Sequence, residues 1–213
     1  RARVRFLYAN IPLGGLLFDG RAPDEVLQSL TRDIDPASPM RVTVGRDRSG
    51  LQSWNHAKMV SVDGKVALVG GHNMWTRHYL DVSPVHDVSM LVRGSAAAHA
   101  SRFANEMWAF ACKNDGYFDS NFSDVSFRGD AGNGCNDAFE APSARGPGTT
   151  PVIAVGRLGA IGSQDAAADD AILAMLRASR KSLRLSLQDI GPHKVGISLE
   201  PWPERYLREL VAA

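Results

Sequence analysis

The chain has 213 residues, of which 44% are apolar and 22% charged, and a formal net charge of +1. That is the balance of a globular protein with a proper core, long enough for one domain or for one domain plus part of another. It argues against a nucleic-acid binder working through bulk electrostatics, though not against a local basic cleft, and with no run of about 18 apolar residues it excludes a membrane-spanning helix.

Residues 3–10 (RVRFLYAN) put Val4, Phe6 and Tyr8 on one face at period two, which predicts a strand. Because the first residues already read as a strand and no methionine opens the chain, the sequence is expected to be a piece of a longer protein. Pro23 sits at a helix start with Asp24 and Glu25 in the first turn, and Val26, Leu27, Leu30 and Ile34 follow at helical spacing. A short strand is expected at 41–45, then two β-rich runs at 58–62 and 65–69 joined by Asp63-Gly64, a tight-turn signal, and another strand at 87–92. Ser95 is a candidate N-cap for a helix over 96–111 that places Phe103, Met107 and Phe110 on its inner face. Residues 113–150, dense in Gly, Asn, Asp, Ser and Pro, read as a long surface loop. Beyond it the pattern predicts a strand at 151–156, a helix at 169–180, a strand carrying Leu183, Leu185 and Leu187, and a final helix from Pro203. This alternation of strands and helices implies an α/β architecture.

The informative stretch is His56-Ala57-Lys58, then Asp63, then Gly70-Gly71-His72-Asn73: H-x-K, four residues, D, six residues, G-G-x-N. If His56 and Lys58 share a strand, alternation aims an imidazole and an ammonium at one spot. Gly70 and Gly71 remove side chains where backbone must come close to a ligand, and Asn73 adds an amide donor. A phosphoryl group needs such a set. Lys58 and Asn73 can orient its anionic oxygens while His56 attacks phosphorus as an uncharged nucleophile. A lone H-x-K on a solvated edge strand would carry no such meaning; the whole spaced set does.

That set resembles the signature of the phospholipase D superfamily, matching it at His56, Lys58, Asp63, Gly70, Gly71 and Asn73. The surroundings resemble the secreted, Streptomyces-type members: Ser53-Trp54-Asn55, Tyr79-Leu80-Asp81, Pro84-Val85-His86-Asp87, the helix end from Trp108 to Cys112, and Pro151-Val152-Ile153-Ala154-Val155-Gly156. The resemblance implies an α/β sandwich, here truncated at both ends. Residues 1–150 would form most of a first lobe, and 151–213 a linker strand and the start of a second. It implies that His56 becomes a phosphohistidine, that Lys58, Asn73 and the Gly70-Gly71 backbone hold the phosphate, and that Asp63 is a structural member of the motif. Asp87 would orient the histidine of the opposite lobe, the general acid; apart from the family, Asp87 reads as an ordinary strand-end carboxylate. No second H-x-K occurs, since His193-Lys194 are adjacent, and Arg77 and His78 stand where the family often carries acidic residues.

Cys112 and Cys135 read by themselves either as two buried thiols or as a disulfide closing the loop between them; the resemblance implies the disulfide and hence secretion. His72 reads as a variable position pointing away and His86 as a loop residue, while Trp54 and Trp75 could line an acyl entrance or simply pack in the core. The histidines and cysteines lack metal-ligand spacing, and chemistry that draws its electrostatics from Lys58 and Asn73 calls for no metal or other cofactor. The expected function is hydrolysis of phosphatidylcholine-like lipids at a membrane or micelle surface, with transfer to other alcohols as a side activity. The expected partner is a second lobe from the same parent chain rather than a homodimer, with no nucleic acid involved. The alternatives are a nuclease or cardiolipin-synthase-like phosphodiesterase, or a lobe that binds lipid without turning it over.

Overall fold

The computed structural model describes residues 2–9, 22–47, 55–74, 78–82, 84, 86–113, 122–126, 149–158, 166–187, 193–195, 198–200 and 203–212. The chain divides into two compact units, Arg1–Ala154 and Val155–Ala213.

In the first unit, β1 (Arg3–Ala9) leads through α1 (Pro23–Thr31) to β2 (Arg41–Asp47), which lies parallel to β1 with Phe6 opposite Val44 and Tyr8 opposite Arg46. Pro at the first turn and the acidic pair Asp24 and Glu25 favour the start of α1. The helix stops at Thr31, earlier than the spacing to Ile34 suggests. The Thr31 hydroxyl donates to the Leu27 carbonyl at 2.8 Å, and Ile34 follows in a turn, still packed on the core. That core is Leu27, Val42 and Val44, with Phe6, Tyr8, Val26, Ile34 and Met40 around it. Phe6, Tyr8, Val42 and Val44 share one face of the sheet by alternation.

A second sheet follows: β3 (Lys58–Val62), β4 (Val66–Gly70) and, after the short helix α2 (His78–Asp81), β5 (Ser89–Arg93), all antiparallel. Asp63 and Gly64 both take positive φ, 51° and 62°, and the Lys65 N–H bonds the Val62 carbonyl at 3.0 Å, so the Asp-Gly signal makes the tight turn it implies. A 3-10 turn, Gly94–Ala96, feeds α3 (Ala97–Lys113), so Ser95 lies inside that turn rather than ahead of the helix. Helix α3 touches β2, β3 and β4. On one side the Arg5 guanidinium lies 5.1 Å from the Trp108 ring centroid; on the other the Ser61 and Ser101 hydroxyls meet at 2.6 Å. The opposite face of the second sheet carries Lys58, Val60, Val62 and Leu91, and these three apolar side chains are 43%, 51% and 55% exposed.

The structure corrects three sequence expectations. Within the expected loop 113–150, β6 (Phe122–Ser126) pairs antiparallel with β2. Its five residues include only Phe122 and Val125 as apolar positions, so the edge of β2 makes this strand, not its own pattern. Residues 151–156 and 182–187 are not strands. Alternation becomes a strand only where another backbone completes the ladder, and Leu183, Leu185 and Leu187 are instead 39%, 49% and 60% exposed.

In the second unit, α4 (Ala167–Ala178) and α5 (Glu204–Ala212) pack together, with Leu173 and Leu176 buried. Asp169 accepts from both Arg157 and the Tyr206 hydroxyl, and Arg177 reaches Glu209 at 2.5 Å. A small hairpin, β7 (His193–Val195) and β8 (Ser198–Glu200), places His193 and Lys194 at consecutive strand positions.

Candidate active site

The β3–β4 hairpin and the start of β5 build the site. Lys58, the first residue of β3, lies opposite Gly70, the last of β4, and Gly70 lies opposite Ser89, the first of β5. Residues directly opposite one another share a face, so the three form one row with a glycine at its centre. Just before β3, the Asn55 side chain accepts the Ala57 N–H at 2.9 Å. That local bond competes with strand pairing, and the strand begins only at Lys58. His56 therefore precedes the strand instead of sharing it. The Lys58 ammonium nonetheless turns back and donates to the His56 carbonyl at 2.8 Å, which keeps the two side by side.

The electrostatics follow from this placement. Partial burial, and secondly the positive charge of Lys58, hold the His56 imidazole below its ordinary value, so at neutral pH it is unprotonated. Partial burial also lowers Lys58, while the Asp87 carboxylate acts in the opposite sense. His56, Lys58 and Asp87 are thus within electrostatic reach of one another in series. The glycines explain the closeness. A Cβ at Gly71 would stand 2.5 Å from Asp87 Oδ1, and the Gly71 N–H already donates to the Val88 carbonyl at 3.2 Å. A Cβ at Gly70 would fall on the Ser89 hydroxyl. An uncharged imidazole, an ammonium and a carboxylate around bare backbone make a site suited to nucleophilic attack on an anionic centre.

No family model matches the chain. Over 165 residues it is 35% identical to a phospholipase D from Streptomyces antibioticus, a match that takes in 74% of this chain. The chain resembles a phospholipase D. It spans only 29% of the length of that phospholipase D, however, so the comparison reaches less than a third of the relative.

The remaining positions of the phospholipase D-like motif divide between near and far. Asn73, half-buried, follows Gly71 by two residues in the chain. Asp63 is at the other end of the hairpin, five residues from Lys58 and so roughly 16 Å along the strand; its place is the turn. Cys112 lies in the last turn of α3, whereas Cys135, Trp54 and Trp75 lie outside the described residues. His86 is exposed. The sequence reading missed Ser89 and set His72 aside, yet His72 Nδ1 and Ser89 Oγ meet at 2.5 Å. The missing signal was register: Ser89 joins the Lys58 row only through the pairing of β3, β4 and β5. Among the described residues no His, Cys, Asp and Glu side chains cluster as a metal would require, and no helix is long and apolar enough to cross a membrane.

Proposed function

We propose that this chain is the His56-bearing half of a phospholipase D-type phosphodiesterase acting on phosphatidylcholine-like lipids. The observation that carries the reading is an imidazole kept unprotonated beside Lys58, with Asp87 in reach of the same lysine. The His56 ring nitrogen attacks phosphorus and the bond from phosphorus to the headgroup oxygen breaks. Lys58, Asn73 and the Gly70-Gly71 backbone hold the phosphoryl oxygens. The departing alkoxide takes a proton from a histidine on a second lobe, which Asp87 orients. Water then attacks the phosphohistidine, freeing phosphatidate and returning His56; another alcohol in place of water gives transphosphatidylation. The architecture would be the α/β sandwich of that family, with Cys112 paired to Cys135 and the protein secreted. The apolar face beside Lys58, with Val60, Val62 and Leu91, offers a surface on which a second lobe could pack.

The test is acid-quenched exposure of the parent protein to lipid labelled either in the phosphate or in the headgroup. Phosphate label on His56, absent in His56→Ala, is the expected result; label on another residue, or headgroup label retained, overturns the reading.

A further inference from the structure

The Ser89 hydroxyl has no part in the scheme above, yet it stands in the same row as Lys58. Gly70 separates the two, and Ser89 leans over that glycine closely enough that an added Cβ would meet both its Oγ and, at 2.6 Å, its Cβ. The Ser89 hydroxyl thus covers the face of Gly70 next to Lys58, and a group approaching this row meets the Lys58 and Ser89 side chains together. Ser89 is exposed, so such a group can reach it. The hydroxyl is also held: His72, two residues beyond Gly70, brings Nδ1 to 2.5 Å from Ser89 Oγ.

We propose that Ser89 is a further phosphoryl-binding residue, donating its hydroxyl to an oxygen of the substrate phosphodiester, and that His72 is the residue that positions it. The proposal rests on the phosphodiesterase reading of the site. A serine hydroxyl has one proton and two lone pairs, and a neutral imidazole has one donor and one acceptor nitrogen. If Nδ1 accepts, the serine proton is occupied and only lone pairs face an anion. If Nδ1 carries the hydrogen, it donates to Oγ and leaves the serine proton for a phosphoryl oxygen. An anion on the row therefore selects the form of His72 protonated at Nδ1.

The experiment titrates the 213-residue chain, labelled with nitrogen-15 in histidine, with inorganic phosphate at constant ionic strength, and in a second arm with micelles of short-chain phosphatidylcholine. In both arms the His72 Nδ1 resonance should move toward its N–H position as ligand binds. Ser89→Ala should remove that movement and weaken binding about tenfold, the scale of one hydrogen bond to a charged group, whereas Ser89→Thr, which restores the hydroxyl, should recover most of it. His72→Phe should weaken binding with Ser89 intact. Lys58→Met separates the two ideas. If it abolishes binding while Ser89→Ala does not, Ser89 has no such role and the site reading stands. If Lys58→Met leaves binding unchanged, or the wild-type chain binds neither probe, the phosphoryl site itself is refuted and this inference with it. A Ser89→Ala loss confined to inorganic phosphate would overturn the assignment to a phosphodiester.

Discussion

In the proposed reaction His56 is the nucleophile, and its protonation can be followed without turnover. Partial burial lowers its affinity for a proton and the neighbouring Lys58 lowers it further. The His56 ring signal should therefore titrate below the ordinary value of 6.5 in NMR of the folded chain. Lys58→Met should move that midpoint upward but leave it below 6.5, because burial is the larger cause; a midpoint at or above 6.5 in the wild type would contradict the geometry. The linkage has a definite sign. Between 6.5 and the depressed folded value the unfolded chain binds the proton first, so His56 lowers stability as pH falls through that window and has no effect above it. The glycines give a second check at this scale. Gly70→Ala drives a Cβ to 2.7 Å from the Ser89 backbone, whereas Gly71→Ala meets only the movable carboxylate of Asp87. Gly70→Ala should cost stability on the order of 1–3 kcal/mol, the range for overpacking, and Gly71→Ala visibly less by thermal melting.

At the scale of elements, α1 seals one face of the first sheet, and Leu27, 3% exposed, is its central contact with Val42 and Val44. Leu27→Ala should cost about 2–5 kcal/mol, measured by denaturant unfolding; a change under ~1 kcal/mol would mean that α1 is not seated there. How far such elements could be read beforehand depended on where their cause lies. Strand 58–62, its Asp63-Gly64 turn and the helix beginning at Pro23 were legible, because alternation, turn chemistry and a proline at N1 are local. The strand Phe122–Ser126 was not, because its cause is the edge of β2. The strands expected at 151–156 and around Leu183 failed for the converse reason: their alternation is present and a pairing backbone is not among the described residues. The site divides in the same way. His56, Lys58 and the glycines were readable as a motif. Ser89 required register, and the displacement of His56 from the strand required the Asn55 side chain to claim the Ala57 N–H.

For the whole molecule the question is whether these 213 residues can turn over a phosphodiester by themselves. The sequence contains one H-x-K motif, and His193-Lys194, the nearest approach to another, occupies consecutive positions of β7. On the proposed mechanism a single motif would provide the nucleophile but not the second motif's imidazole that protonates the leaving alkoxide, and Asp87 would have none to orient. Without that proton an alkoxide departs slowly, since general acid help is typically worth 10²–10⁴-fold. The surface points the same way: Val60, Val62 and Leu91 beside Lys58, and Leu185 and Leu187 in the second unit, are each between 43% and 60% exposed, and apolar surface of this kind favours association. The purified chain should therefore release no choline from phosphatidylcholine micelles above the rate of its His56→Ala variant. Light scattering run beside the assay separates the remaining possibilities. A monomer or irregular aggregate without turnover fits a half-site that needs a second lobe. A discrete dimer with turnover, lost in His56→Ala, would show instead that two copies supply one histidine each, and the second lobe from the same parent chain would be wrong.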